Sequence, residues 1–225
     1  MPPESTPFAA HTLLRIEGAA VLTADTDLPA WVCGALERAP WVVVRRAVAG
    51  CKALAGCKAA SRGSLVPIGI RGDSRQQRFA AWVSEEAALE QVTPQLLASR
   101  RPWATSARRA AVPALAALDA VEKIMRQHAL AGYWGPGGSV GFELASGRST
   151  ATQSSDLDIV VQLDRAIPIM DARSLLSSLA VLPVRTDALL ELPHGGVALP
   201  EYARAESFVL RTARGPRLVR DVADL

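Results

Sequence analysis

The apolar positions of this chain of 225 residues repeat with two different periods. In the front part, short apolar runs are separated by polar turns, which is typical of β-strands. Between 111 and 128, apolar residues recur every three or four positions, and this pattern predicts one long amphipathic helix. Behind that helix, helical and strand patterns alternate. The sequence therefore predicts a mixed α/β (α+β) protein with a small, β-rich module in front.

The front module is predicted from strand patterns and one short helix over 28–38. Pro67 predicts an edge position for its own strand, because proline cannot donate to a strand ladder. The segment 50–63 has no pattern that can be assigned. The predicted strands lie at 11–16, 40–46, 65–72 and 78–83.

A domain boundary is predicted near residue 103. Thr93 and Pro94 suit the cap and first position of a short helix. The arginine-rich segment 100–106 follows and predicts a linker. We therefore expect two domains, 1–103 and 104–225.

Composition narrows the class of protein. Hydrophobic residues make up 49% of the chain, enough for one large core or two small ones. The longest apolar runs are far shorter than a membrane span, and no signal peptide is apparent, so we expect a cytoplasmic protein. The net charge of +3 is mostly arginine, which favours a polyanionic ligand or an acidic partner. An ordinary arginine-rich surface would explain that charge equally well.

A glycine-rich stretch, Trp134-Gly-Pro-Gly-Gly-Ser-Val-Gly-Phe-Glu-Leu, begins the part of the chain that suggests chemistry. Gly135, Gly137 and Gly138 allow a sharp turn and a close approach to a ligand. Ser139 then begins a predicted helix, whose first N–H groups and positive dipole end suit phosphate. Trp134 either lines this site or belongs to the core.

Two carboxylates follow this helix at the start of a predicted strand. Asp156 and Asp158 lie two positions apart, so an extended backbone places both on one face. Carboxylates so close repel each other unless a divalent cation lies between them. Mg²⁺ is the usual cation for carboxylate plus phosphate oxygen.

A Gly-Ser turn, a short helix and Asp-x-Asp on a strand resemble the nucleotidyltransferase superfamily. The interval from Ser139 to Asp156 is 17 positions, longer than the usual one. This longer version, Gly-Ser-x-Gly-Phe-Glu-Leu followed by Ser-Asp-Leu-Asp, resembles the malonate decarboxylase holo-acyl-carrier-protein synthases. These enzymes are also called phosphoribosyl-dephospho-CoA transferases. Segments 41–46, 66–72 and 77–80 resemble the first domain of the same family.

The resemblance implies a reaction and its components. The donor is triphosphoribosyl-dephospho-CoA, the acceptor is a serine on the acyl-carrier subunit of malonate decarboxylase, and pyrophosphate is released. The cofactor is Mg²⁺ (or Mn²⁺), with no nucleic acid or membrane involved. Domain 104–225 is then the nucleotidyltransferase catalytic domain, and 1–103 recognises the substrate or the carrier. Arg45, Arg46, Arg71, Arg75 and Arg78 either contact the donor's phosphates or are simply solvated.

The resemblance also assigns roles to residues. The third carboxylate of a nucleotidyltransferase comes from the strand after Asp-x-Asp, where Asp187 lies, with Glu191 as its competitor. Asp187 either completes the metal site or deprotonates the acceptor hydroxyl. The predicted catalytic and metal-binding residues are Asp156, Asp158 and Asp187, and the predicted substrate-binding residues are Gly138, Ser139 and Ser155.

Two further interpretations compete with a carrier-protein synthase. A generic nucleotidyltransferase would use the same site to add a nucleoside monophosphate to a small molecule or protein. A non-catalytic protein that binds a carrier would need no site at all. The complete set of Ser139 and three aspartates argues against the second alternative.

Overall fold

A computed structural model describes residues 7–47, 65–74, 76–204 and 206–221. The chain divides into two compact units, Met1–Thr93 and Pro94–Leu225, each with its own hydrophobic core. Segment 50–63, which the sequence did not assign, lies outside the described residues. No helix in the described ranges is long and apolar enough to cross a membrane.

The first unit is a five-stranded antiparallel sheet with a helix on one face. Its strands are β1 (Leu13–Arg15), β2 (Trp41–Val44), β3 (Leu65–Arg71), β4 (Arg78–Ser84) and β5 (Glu90–Val92), and its helix is α1 (Ala30–Arg38). The strand order is β4-β3-β2-β1-β5. Val32, Ala35 and Leu36 of α1 pack on the sheet's inner face, which alternation along each strand keeps apolar. This module was predicted except for β5.

Pro67 does not mark an edge, because β3 lies between β2 and β4. The Pro67 carbonyl accepts a hydrogen bond from the Arg45 N–H at 2.8 Å, one residue beyond the end of β2. The missing N–H of Pro67 faces the same neighbour, since both polar groups of a strand residue point to one side. The proline therefore removes only one bond at the very end of a ladder, which is why an internal strand tolerates it.

The second unit is a six-stranded mixed sheet with helices packed against it. Its strands follow the order β11-β10-β9-β8-β7-β6, and only β7 and β8 are parallel. The strands are β6 (Trp134–Pro136), β7 (Leu157–Gln162), β8 (Thr186–Leu192), β9 (Gly195–Ala198), β10 (Phe208–Thr212) and β11 (Gly215–Val219). The helices are α2 (Pro94–Arg100), α3 (Pro113–Ala116), α4 (Leu118–Gln127), α5 (Gly138–Ser146), α6 (Ile169–Ala180) and α7 (Leu199–Arg204). The predicted α+β class, with a β-rich module before a mixed sheet and helices, is confirmed.

The contact boundary between the units lies before α2, whereas the sequence analysis placed a linker at 100–106. Most of that segment forms a 3₁₀ turn, Pro102–Thr105, whose Trp103 is fully buried in the second core. The Trp103 indole N–H donates to Asp119 at 2.8 Å. Burial of this one aromatic residue makes the segment part of the second unit, although Arg100, Arg101, Thr105 and Ser106 of the same segment are charged or polar.

Two further predictions about local structure need correction. The helix predicted over 111–128 is broken at Ala117 into α3 and α4, but Leu115, Leu118 and Met125 still face the core as the periodicity required. Trp134–Pro136, read from the sequence as a turn, is the edge strand β6, antiparallel to β7. Trp134 belongs to the core, where its ring lies 6.2 Å from that of Trp103.

Candidate active site at the start of two parallel strands

The two parallel strands β7 and β8 bring the predicted carboxylates to one end and one face of the sheet. Leu157 and Ile159 point into the core, so Asp156 and Asp158 occupy the opposite face. Asp158 is the register partner of Asp187 on β8. In-register residues of neighbouring strands point to the same side. All three aspartates therefore lie where β7 and β8 begin.

The start of α5 closes over Asp158. Gly137 donates its N–H to the Asp158 carbonyl at 2.9 Å. A Cβ atom on Gly138 would lie 1.7 Å from the Asp158 carboxylate, and the Gly138 φ of +56° also disfavours any side chain. Glycine at 138 is thus required by both the backbone and the carboxylate. The N-cap residue Gly137 has no side chain to bond the first N–H groups of α5, and these N–H groups with the positive dipole end lie beside the Asp158 carboxylate that Gly138 adjoins.

Arg185 lies directly on two of the carboxylates. One guanidinium nitrogen is 3.7 Å from the Asp156 carboxylate, and another is 3.4 Å from the Asp187 carboxylate. The Arg185 carbonyl accepts the Leu157 N–H at 2.8 Å, which fixes its backbone beside β7. Sequence reasoning missed this residue. The alternation that placed Asp187 on this face places Arg185, two positions earlier, on the same face.

Of the other predicted substrate-binding residues, Ser139 is the second residue of α5 and Ser155 belongs to the loop between α5 and β7. The Ser139 carbonyl accepts the Thr150 hydroxyl at 2.8 Å. The Ser155 hydroxyl accepts the Thr152 N–H at 2.9 Å and so closes the turn directly before Asp156. Gly138 is therefore beside the Asp158 carboxylate and Ser139 follows it in α5, whereas the Ser155 side chain closes the turn that leads to Asp156.

A buried carboxylate, Glu143, explains how the long interval between Ser139 and Asp156 is held in place. Its side chain, 7% exposed, accepts hydrogen bonds from Arg108 at 2.7 Å and from the Thr150 and Ala151 N–H groups at 2.8 Å each. Arg108 also donates to the Ala151 carbonyl at 2.8 Å. Sequence reasoning quoted Glu143 in the motif but gave it no role. An acidic residue among the apolar positions of a short helix is the signal that could have found it.

The opposite end of β8 contains the competing carboxylate. Glu191 is the register partner of Gln162 at the far end of β7 and is 4% exposed. Four strand residues, or about 13 Å, separate its backbone from that of Asp187. Glu191 therefore lies at the wrong end of the strand to meet Asp156, and Asp187 remains the predicted third carboxylate.

The donor set suits a hard divalent cation shared with a substrate. Within the described ranges, no three His, Cys, Asp or Glu side chains form a ready metal cage. Mg²⁺ rarely uses such a cage in phosphoryl transfer, since it binds one or two carboxylates, water and substrate phosphate. Asp156 and Asp158, with the Arg185 cation already beside the group, fit this description. The assignment of these residues to a metal remains a prediction.

Asp119 supports the edge of the sheet that contains β6. It accepts hydrogen bonds from the Trp103 indole and from Arg101 and Arg109. The Trp103 hydrogen bond, with the two arginines, holds the pKa of Asp119 below its usual value, although partial burial opposes this. The cluster fixes Trp103 against Trp134, directly before the glycine turn.

Comparison with known proteins identifies the family. The phosphoribosyl-dephospho-CoA transferase MdcG C-terminal domain matches residues 87–222, and the N-terminal domain of the same family matches 9–94. A phosphoribosyl-dephospho-CoA transferase of Pseudomonas aeruginosa is 37% identical over 212 residues, which cover 94% of this chain and 91% of that protein. The Pseudomonas putida enzyme of the same name is 36% identical over 214 residues, 94% of this chain and 93% of its own. No solved structure matches the chain.

Both halves of the chain therefore match one family, in the same order and over nearly the full length. The same family was indicated by the glycine-serine turn and the paired aspartates. The matches also exclude the reading of the chain as a non-catalytic binding protein, since the relatives are named as transferases. The chain belongs to the phosphoribosyl-dephospho-CoA transferase family of enzymes.

Proposed function

We propose that this enzyme transfers the phosphoribosyl-dephospho-CoA group from 2'-(5''-triphosphoribosyl)-3'-dephospho-CoA to a serine of the apo acyl-carrier subunit of malonate decarboxylase, with release of pyrophosphate. The observation that carries the proposal is the convergence of Asp156, Asp158 and Asp187 beside the start of α5 in a chain that matches both family domains. The carboxylates can hold a cation, and the helix N–H groups beside them can bind phosphate. Together they suit attack on a phosphate ester.

The proposed reaction is an in-line displacement at phosphorus. The carrier serine oxygen forms a bond to the α-phosphorus of the donor's triphosphate, and the bond from that phosphorus to the bridging oxygen of pyrophosphate breaks. The serine proton passes to a base, and pyrophosphate leaves with the electron pair of the broken bond. The product is a phosphodiester between the carrier and the prosthetic group.

The three aspartates have different proposed roles. Asp156 and Asp158 hold the divalent cation, which when bound neutralises charge on the phosphate oxygens. Asp187, with half of its side chain exposed, is the best placed of the three to accept the serine proton or to complete the metal site. Gly138 and Ser139 orient the terminal phosphates through their N–H groups at the start of α5.

The first unit offers a surface for an acidic carrier. Arg71 and Arg78 are register partners on β3 and β4, and both point away from the apolar inner face. The Arg45 side chain lies on the same outer face, against Gly69, where an added Cβ would be 3.2 Å from it. Arg45, Arg71 and Arg78 are exposed, and we name them the arginine corner. Such a positive patch favours encounter with an acidic protein.

The proposal is tested by the intact mass of the apo carrier after incubation with enzyme, Mg²⁺ and triphosphoribosyl-dephospho-CoA. The expected result is a gain equal to the whole prosthetic group, with an equal amount of pyrophosphate. A carrier with alanine in place of the acceptor serine is the control and should gain nothing. No gain with this donor, together with a nucleotide-sized gain with ATP, would contradict the proposal in favour of a generic nucleotidyltransferase.

A further inference from the structure

Arg185 contacts two carboxylates of the proposed site, and the sequence analysis gave it no role. Its guanidinium contacts Asp156 and Asp187 at 3.7 and 3.4 Å, both at the long end of ion-pair distances. Its side chain is 71% exposed. Exposed, long ion pairs contribute little to stability, so this arginine can leave its carboxylates at small cost.

A divalent cation on the same carboxylates would compete with Arg185. Two positive groups cannot both occupy the space between Asp156 and Asp187 without repulsion. The Arg185 backbone stays fixed, because its carbonyl is bonded to Leu157 of β7. A displaced guanidinium therefore stays within one side-chain length of the reacting phosphates. Its planar fork of donors matches phosphate oxygens in pairs.

The surroundings of Arg185 leave room for this movement. Arg185 and Thr186 line an open groove of about 460 Å³ with the apolar side chains of Leu176, Leu182 and Val184. The apolar lining offers no competing anion. A guanidinium rotated into this groove therefore meets no acidic side chain in the lining and can bind the phosphates of a bound donor.

We propose that Arg185 leaves Asp156 and Asp187 when the divalent cation binds there, and that it then binds the triphosphate of the donor. This inference rests on the proposed function, because it takes the donor and the cation from it. Arg185 thus has two partners in turn. It neutralises the carboxylates before the cation binds, and it neutralises the departing pyrophosphate afterwards.

The test measures Mn²⁺ affinity and donor affinity separately, for wild type, Arg185→Ala and Arg185→Lys. Mn²⁺ binding without donor is followed by electron paramagnetic resonance, and donor binding with Mn²⁺ by calorimetry. Arg126→Ala is the matched control, because Arg126 is 68% exposed and also pairs with a carboxylate, that of Glu122 at 3.2 Å. It should change neither affinity.

Arg185→Ala should bind Mn²⁺ about threefold more tightly, since a competing exposed ion pair is gone. The same variant should bind the donor at least about tenfold more weakly, because charge-assisted hydrogen bonds to phosphate are lost. Arg185→Lys should restore the Mn²⁺ affinity of wild type but only part of the donor affinity. Unchanged donor affinity in Arg185→Ala, or weaker Mn²⁺ binding, would overturn the inference.

Failure of the inference is distinguishable from failure of the proposed function. If the proposed donor is wrong, wild-type enzyme itself fails to bind it and the carrier gains no mass. If only the role of Arg185 is wrong, wild type transfers the group and Arg185→Ala binds the donor as wild type does. Near-ultraviolet circular dichroism of each variant checks that the fold is retained.

Discussion

Each unit of the molecule places two like charges directly opposite each other on neighbouring strands. In the second unit the pair is Asp158 and Asp187, and in the first it is Arg71 and Arg78. Like charges directly opposite each other repel across a sheet. The surroundings differ. Asp158 is crowded against Gly138, whereas both arginines are exposed.

The difference in exposure suggests that the carboxylates and the arginines have different roles. A carboxylate held against backbone has little freedom and can hold a cation and a phosphate at fixed distances. Exposed arginines on long side chains offer long-range attraction and adaptable contacts. We therefore expect changes at the acidic pair to reduce the rate of transfer, and changes at the arginine corner to weaken encounter with the carrier.

The largest effect is expected for Asp158→Asn. Transfer should fall about a thousandfold, because the loss of one cation-holding charge removes about 4 kcal/mol of transition-state stabilisation. The rate of pyrophosphate release under saturating donor and carrier measures this. Asp164→Asn, an exposed aspartate beyond the far end of β7, is the matched control and should retain wild-type activity. Near-normal release by Asp158→Asn would remove the acidic pair from the chemistry.

The second largest effect tests whether the close contact between Gly138 and Asp158 matters for transfer. Gly138→Ala should reduce transfer about a hundredfold, since the new Cβ collides with the Asp158 carboxylate and displaces it. Gly147→Ala is the matched control. Gly147 has a comparable φ of +72°, but nothing lies within 4 Å of its added Cβ. Both variants should lose about 1 kcal/mol of stability to the left-handed backbone. Equal activities of the two variants would contradict the positional argument.

A smaller effect is expected at the arginine corner. Arg78→Glu should raise the KM for the carrier about tenfold at low salt with kcat unchanged, and the difference should shrink as salt is added. Arg165→Glu is the control, because it changes the net charge equally but lies at an exposed position after β7, in the second unit. If both reversals raise KM alike, the effect belongs to net charge and not to this surface.

The smallest effect is expected at Asp119, whose carboxylate is paired with the positive side chains of Arg101 and Arg109. Because the pKa of Asp119 is lowered in the folded protein, its carboxylate stabilises the fold above pH about 4 and loses this effect as the pH falls through the folded value. Asp119→Asn should therefore cost below about 1 kcal/mol at pH 6 and less at pH 3, since the group is partly exposed. Urea unfolding at both pH values measures the difference. A constant difference would show that the charge is not responsible.

Local rules were enough for the parts of the site that are near in sequence. Strand alternation placed Asp156 and Asp158 on one face, and the glycine turn before Ser139 indicated a helix start. Asp187 came from the resemblance to nucleotidyltransferases, in which the strand after Asp-x-Asp carries the third carboxylate. Arg185 followed the same alternation but was overlooked because the search was for carboxylates.

What sequence reasoning could not give depends on contacts between distant residues. The buried pair of Arg108 and Glu143 joins positions 35 residues apart. The sequence places Trp103 in a polar linker, and only its contacts with Asp119 and the ring of Trp134 show that it belongs to the core. The edge position predicted from Pro67 used a valid rule for strand interiors. It failed because β2 ends beside Pro67, and the sequence of β3 does not show where its neighbour ends.

The most direct test of the central claim, that Asp156, Asp158 and Asp187 act in the transfer through a divalent cation, is the intact mass of the carrier as the cation is removed and restored. Enzyme, donor and apo carrier are incubated in excess chelator, and Mg²⁺ or Mn²⁺ is then added in excess over it. We predict no mass gain in chelator and full attachment of the prosthetic group after either cation is added. Full attachment in chelator would contradict the account.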